Sequence, residues 1–239
     1  MYLDNVVFDA ANPQALGRFC ESALGCERLS DEADGFETRL RVPDGPVLDL
    51  CFQRVPKRPV EPPRLHLDLR GGEEQQQVVE HLLSLGASRA DIGQGDVPWV
   101  VLADPEGNPF CVMEHRPEYA AAAGPVAALP LDVADPARER EFWAWLSGWV
   151  PVEGAGLLSL QHSSRRGPLL ELCQEARPKG STKNRMHLDI RLEPGDDVDK
   201  VASEIAHRGG RERHPDWGDL PWRVFTDPSG NEFCLLPTP

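Results

Sequence analysis

Two histidines sit in near-identical surroundings: His66 in Arg64-Leu65-His66-Leu67-Asp68-Leu69 and His187 in Arg185-Met186-His187-Leu188-Asp189-Ile190. Imidazole titrates near neutral pH without any perturbation, so it suits general acid–base work or metal ligation. The alternation of apolar residues with His and Asp is the pattern of a strand with one buried face, and it turns both polar side chains the other way. The ring could equally be satisfied by Asp68 or Asp189 as a structural pair. Leu48-Asp49-Leu50-Cys51-Phe52 and Leu170-Glu171-Leu172-Cys173 alternate in the same way and place Asp49 and Glu171 on a matching face. A mid-strand carboxylate between leucines is costly unless it meets a cation or a solvated cavity. Cys111 and Cys234, each between two apolar residues, could face the same space. A thiolate nucleophile there would need an imidazolium beside it, whereas a simple buried thiol explains both residues too.

The elements that hold these residues come from a repeat. Gly95-Asp96-Val97-Pro98-Trp99 returns as Gly218-Asp219-Leu220-Pro221-Trp222, and Asp104-Pro105-Glu106-Gly107-Asn108-Pro109-Phe110-Cys111 returns as Asp227-Pro228-Ser229-Gly230-Asn231-Glu232-Phe233-Cys234. The order is kept through both halves, which marks a tandem duplication. Its halves are residues 1–117 and 125–239, joined by the low-information linker 118–124. In each half Asn12-Pro13 or Asp135-Pro136 is an N-cap followed by a proline at the first helical position, and Gly25 or Gly148 stops the helix. Second helices are expected over 73–85 and 196–207. Short strands precede each helix, at 5–9, 65–69 and their copies, and three strand-like runs follow each. The chain therefore reads as four βαβββ units, an α+β plan with mainly antiparallel sheets covered on one face by helices.

This pattern, the Asn-Pro helix start, the "RLHLDL" strand and the "DPEGNPFCVME" hairpin resemble the vicinal oxygen chelate superfamily of glyoxalases, bleomycin-resistance proteins and extradiol dioxygenases, in its two-domain form. The resemblance implies curled sheets enclosing a cavity, and a divalent metal in those members that use one. The metal-bearing positions carry over to Asn5, Asp49, His66 and Cys111 in one half and to Ala128, Glu171, His187 and Cys234 in the other. A histidine and a carboxylate survive in each, short of the several oxygen and nitrogen ligands a hard ion wants. The expectation is a protein that binds a small molecule over a degenerate metal site, with no cofactor or with a divalent ion held by Asp49 or Glu171 together with His66 or His187 and waters. The alternative is a metal-dependent lyase, isomerase or dioxygenase whose ion polarises adjacent substrate oxygens, and a third reading is a metal-free enzyme with His66 or His187 as its catalytic general base.

Further candidates line such a cavity. Trp99, Trp217 and Trp222 could stack on a flat ligand or simply pack in the core. Arg185, Lys183 and Lys179 make a basic rim that would suit an anion; Lys57, Arg58 and Arg64 are the weaker counterpart. The whole chain of 239 residues has 25 Lys plus Arg against 39 Asp plus Glu, a net charge of −14. That field repels phosphate backbones and anionic lipid, so nucleic-acid and membrane-surface partners are not expected. Six single cysteines without a CxxC suit reduced thiols and a cytoplasmic protein. Four units in one chain allow a monomer, with a homodimer as the other option.

Overall fold

The computed structural model describes residues 1–57, 61–152, 158–215 and 219–239; Arg58 and Trp217 lie outside them. The first unit is β1 (Tyr2–Ala10), α1 (Pro13–Leu24), β2 (Glu27–Glu32), β3 (Gly35–Arg41) and β4 (Val47–Arg54). The second is β5 (Asp68–Gly72), α2 (Gln75–Ser84), β6 (Ser88–Arg89), β7 (Val100–Ala103) and β8 (Pro109–Glu114). A short 3-10 helix (Pro117–Ala122) joins the halves. The third unit is β9 (Val126–Val133), α3 (Pro136–Ser147), β10 (Val150–Val152), β11 (Leu158–Gln161) and β12 (Leu169–Gln174); the fourth is β13 (Met186–Arg191), α4 (Val198–His207), β14 (Arg211–Arg213), β15 (Arg223–Thr226) and β16 (Glu232–Leu236).

The caps behave as their residues dictate. The Asn12 side chain accepts from the Ala15 N–H, Asp135 accepts from Ala137 and Arg138, and Gly25 and Gly148 end their helices in the left-handed region that glycine tolerates best. Each Asp-Pro-x-Gly-Asn hairpin is wired alike: Asp104 accepts from the N–H of Glu106 and Asn108, and Asp227 from Ser229 and Asn231. The residue at x then reaches to the preceding unit. Glu106 accepts from the N–H groups of Ala11 and Asn12, and Ser229 Oγ accepts from that of Ala134.

The units pair across the halves. Sheet A runs β14-β15-β16-β13-β1-β4-β3-β2 and joins the fourth unit to the first; sheet B runs β10-β11-β12-β9-β5-β8-β7-β6 and joins the third to the second. Both are mainly antiparallel, and neither closes. Val6, Leu50 and Leu188 from sheet A share one continuous core with Leu69, Val112 and Leu129 from sheet B. Gly17 in α1 lets the helix lie against Phe36, since a Cβ there would fall 2.2 Å from the ring.

One strand departs from the sequence pattern. Residues 65–69 alternate as a strand should, yet β5 begins only at Asp68, with Leu65 making an isolated bridge to Leu131. The cause is Pro130, which stands opposite His66 in that register. Its carbonyl accepts from the His66 N–H at 3.2 Å, but proline has no N–H to return. In sheet A the equivalent position is Val7, and there the β1–β13 ladder runs through His187. Pro130→Val is expected to complete the ladder and stabilise the protein by about 1 kcal/mol. Hydrogen exchange checks it: a new amide at 130 that exchanges like an exposed one would refute the account.

Candidate functional site

The face of each sheet away from the shared core carries the residues singled out above. In sheet A, strands β1, β4, β13 and β16 present Asn5, Cys51, His187, Asp189 and Cys234 to a cavity of about 460 Å³. The sheet curls around it, because Ser30 and Glu32 on β2 and Trp222 before β15 also line it although they lie at opposite ends of the strand order. His187 Nε2 is 3.5 Å from Cys234 Sγ and 3.4 Å from Asp189 Oδ1. Asn5 Nδ2 donates to Asp189 Oδ2 at 3.1 Å. His187 Nδ1 and Asp189 Oδ1 are buried without a hydrogen-bond partner among the described residues. Burial, and then the charge of Asp189, hold the Cys234 thiol well above its ordinary pKa, so it is a thiol and not a nucleophilic thiolate.

Asp49 shares the open face and neighbours Asn5 in register, but it is held by Arg39 from β3 in a two-pronged ion pair, both contacts 2.7 Å. This is the cationic partner that a strand carboxylate demanded, and it leaves Asp49 outside the cavity lining.

Sheet B repeats the cluster in a different setting. His66 Nε2 lies 3.3 Å from Asp68 Oδ1, and the ligand atoms of His66, Asp68 and Cys111 fall within 4.8 Å of one another, as do those of His187, Asp189 and Cys234. Glu171 joins this side. Its carboxyl accepts from the Tyr119 hydroxyl at 3.0 Å and is pushed up to about 7 by burial and then by the charge of Asp68. Tyr119 belongs to the short helix between the halves, is 3 % exposed, and packs with Val101, Cys111, Ala128 and Leu169. The connector thus covers the Glu171 side of this face, while the His66 side chain stays 30 % exposed. Arg116, paired with Glu114, lies over the rings of Tyr119 and Trp99, so Trp99 meets an arginine and not a cavity.

The two halves exchange their site residues. Asn5 meets His187 and Cys234, while Ala128 and Glu171 meet His66 and Cys111. Arg185 lies elsewhere, lining a cleft of about 820 Å³ that reaches His66 and Cys111, with Nη1 3.3 Å from Asn108 Oδ1. On the same rim Lys183 is bonded to Asp9 and Lys179 to Glu232. Sequence reasoning passed over Tyr119 and Arg39; only Arg39 carried a signal, as a cation on the strand that must pair with Asp49.

A candidate ion would find one imidazole, one carboxylate and one thiol in either cluster. That set does not fit a hard ion seeking oxygen and nitrogen, but it suits a tetrahedral ion of the zinc kind with an open fourth position, and Asp189 Oδ1, without a hydrogen bond among the described residues, already lies 3.4 Å from His187 Nε2.

Four βαβββ units that curl in pairs around open faces define a glyoxalase-type fold. The chain belongs to the Glyoxalase-like domain family, which matches it twice, over residues 5–113 and 128–236. Among solved structures it is similar to glyoxalase I from Zea mays at 17% identity and a TM-score of 0.66, over 99% of this chain and 92% of that one. It is similar also to a putative dioxygenase from Bacillus subtilis at 14% identity and a TM-score of 0.63, over 100% and 86%. At such identities the likeness is one of fold. No curated protein matches the chain in sequence. Among the described residues no helix is long and apolar enough to cross a membrane.

Proposed function

We propose that the protein binds a small molecule in the sheet A cavity, above a metal site that has lost part of its ligand set. The supporting observation is the pair of buried atoms, His187 Nδ1 and Asp189 Oδ1, that lack hydrogen-bond partners in residues lining a cavity of about 460 Å³. An unsatisfied buried polar group costs about 1–3 kcal/mol, and a ligand that supplies the missing partners recovers that cost. Trp222, Val224 and Leu236 give the same cavity apolar wall, the usual division of labour in a ligand pocket. The metal positions have been diverted: Asp49 answers Arg39, and the Asn5 amide serves Asp189. Thermal-shift measurements with a panel of aromatic alcohols, amides and amines test the reading. Hits are expected to raise Tm by several degrees at saturation. The shift should vanish in His187→Ala and Asp189→Asn and persist in Asp68→Asn, which alters sheet B alone. Equal shifts in all four proteins would refute the assignment to sheet A.

A second reading is favoured by the gathering of His187, Asp189 and Cys234. There the protein is a metal-dependent lyase or isomerase: His187, Asp189 and Cys234 would hold a zinc-like ion, which would supply Lewis-acid polarisation to substrate oxygens, whereas dioxygenase chemistry would require a redox-active ion on the same side chains. Elemental analysis of protein purified without chelator decides it. Stoichiometric metal that is lost in Cys234→Ser supports this reading, and metal-free protein removes it.

A further inference from the structure

The charged groups around the sheet A cavity are unevenly partnered. Lys183 and Arg191 line it, but the Lys183 ammonium is bonded to both oxygens of Asp9, and Arg191 is bonded to Asp4 and to the carbonyl of Pro237. Arg54, at the end of β4, donates to the carbonyls of Ala33 and Ala11 and to Gln14. The acidic side is different. Glu32, Asp34 and Glu37 line the cavity and have no Lys or Arg partner among the described residues. Asp189 at the floor is 5 % exposed; it accepts from Asn5 through one oxygen, while the other, 3.4 Å from His187 Nε2, has no hydrogen-bond partner among the described residues. A carboxylate so buried and half-satisfied is a demand for a donor, and three more at the walls set the sign of the field.

We infer that the cavity selects an organic cation, an ammonium or guanidinium group carried on an apolar, ring-bearing body. This rests on the sheet A cavity being the ligand site. The charged head donates to Asp189 Oδ1 and lies within the field of Glu37, Glu32 and Asp34. The body lies along Trp222, Val224 and Leu236, and the ring of Trp222 also favours a nearby cation through its quadrupole. A cavity of about 460 Å³ has room for a molecule well beyond a single ion. The anionic ligand that the basic rim suggested from sequence is not matched here, because the lysines of that rim already hold carboxylates.

The test uses three probes of one size: phenethylamine as the cation, 2-phenylethanol as the neutral form and phenylacetate as the anion, titrated calorimetrically into the full-length protein with EDTA present. Phenethylamine is expected to bind about ten-fold tighter than the alcohol, and phenylacetate more weakly than either. The advantage of the amine should shrink as NaCl is raised, and should fall several-fold in Asp189→Asn and in Glu37→Gln. Glu37 is exposed, so its variant leaves the fold intact. Alcohol or phenylacetate binding as tightly as the amine would overturn the cation while leaving the cavity in place as a ligand site. Failure of all three probes to bind would overturn both.

Discussion

Tyr119→Ala is expected to destabilise the protein by about 3–5 kcal/mol, the usual cost of removing a fully buried aromatic side chain, and to leave a hole that p-cresol refills. The phenol is packed against Val101, Ala128 and Leu169 on the open face of sheet B and donates to Glu171. Truncation removes the ring and the donor together. Added p-cresol restores both, so it should raise the Tm of the variant with a logarithmic dependence on concentration while leaving the parent unmoved. Tyr119→Phe separates the two parts. It keeps the ring and leaves Glu171 without its hydroxyl, so the carboxyl should rise above its value of about 7. A Tyr119→Ala protein that is blind to p-cresol would mean the connector does not occupy a ligand-shaped space.

That contact also shows where the sequence was legible. The four units were readable because each carries its own punctuation: Asn12-Pro13 with Gly25, Asp135-Pro136 with Gly148, and two Asp-Pro-x-Gly-Asn hairpins whose side-chain hydrogen bonds are local. Which units pair was not readable. Every unit offers the same first-strand edge and the same alternation, so β1 could have met β5 as readily as β13; the choice depends on contacts far apart in sequence. For the site, strand alternation placed His66 with Asp68 and His187 with Asp189, and it told that Asp49 and Glu171 needed partners. It could not tell that one would find Arg39 and the other a tyrosine from a linker with no periodicity of its own. Pro130 is the opposite case, a residue whose effect on the ladder is fixed by its chemistry, but only once its partner His66 is known.

The duplicated clusters have thus diverged by what covers them. His187 and Asp189 open on a cavity with acidic walls; His66 and Asp68 lie beside a tethered phenol, with Glu171 as its acceptor. The Tyr119–Glu171 contact ties the integrity of sheet B to the link between the halves.

A second buried carboxylate, away from either face, makes stability depend on pH. Glu139 in α3 has no exposed surface; its Oε1 accepts from Ser229 Oγ, and its Oε2 has no partner among the described residues. Burial, and then repulsion from Asp227, push its pKa up to about 8, while Ser229 and Arg138 oppose the rise. Asp227 is raised as well, by burial, against the hydrogen bonds from Asn231, Trp143 and Ser229. The unfolded chain releases the Glu139 proton near 4.5, whereas the folded chain keeps it. Between those values the native state binds more protons, so stability is greatest at the acid end of this window and falls as pH rises toward about 8. Glu139→Gln keeps the shape and the acceptor for Ser229 and removes the titration. It is expected to match the parent near pH 5 and to exceed it by about 2–4 kcal/mol near pH 9, since each tenfold displacement of a proton equilibrium is worth about 1.4 kcal/mol. Urea denaturation at both pH values measures the difference. Glu171, also raised, lowers the stability of both proteins alike, so the gap between them reports Glu139 together with its buried neighbour Asp227, whose repulsion the substitution relieves. Parallel curves would show that the folded protein accommodates a charged Glu139, and that the space around Oε2 is not as closed as its burial indicates.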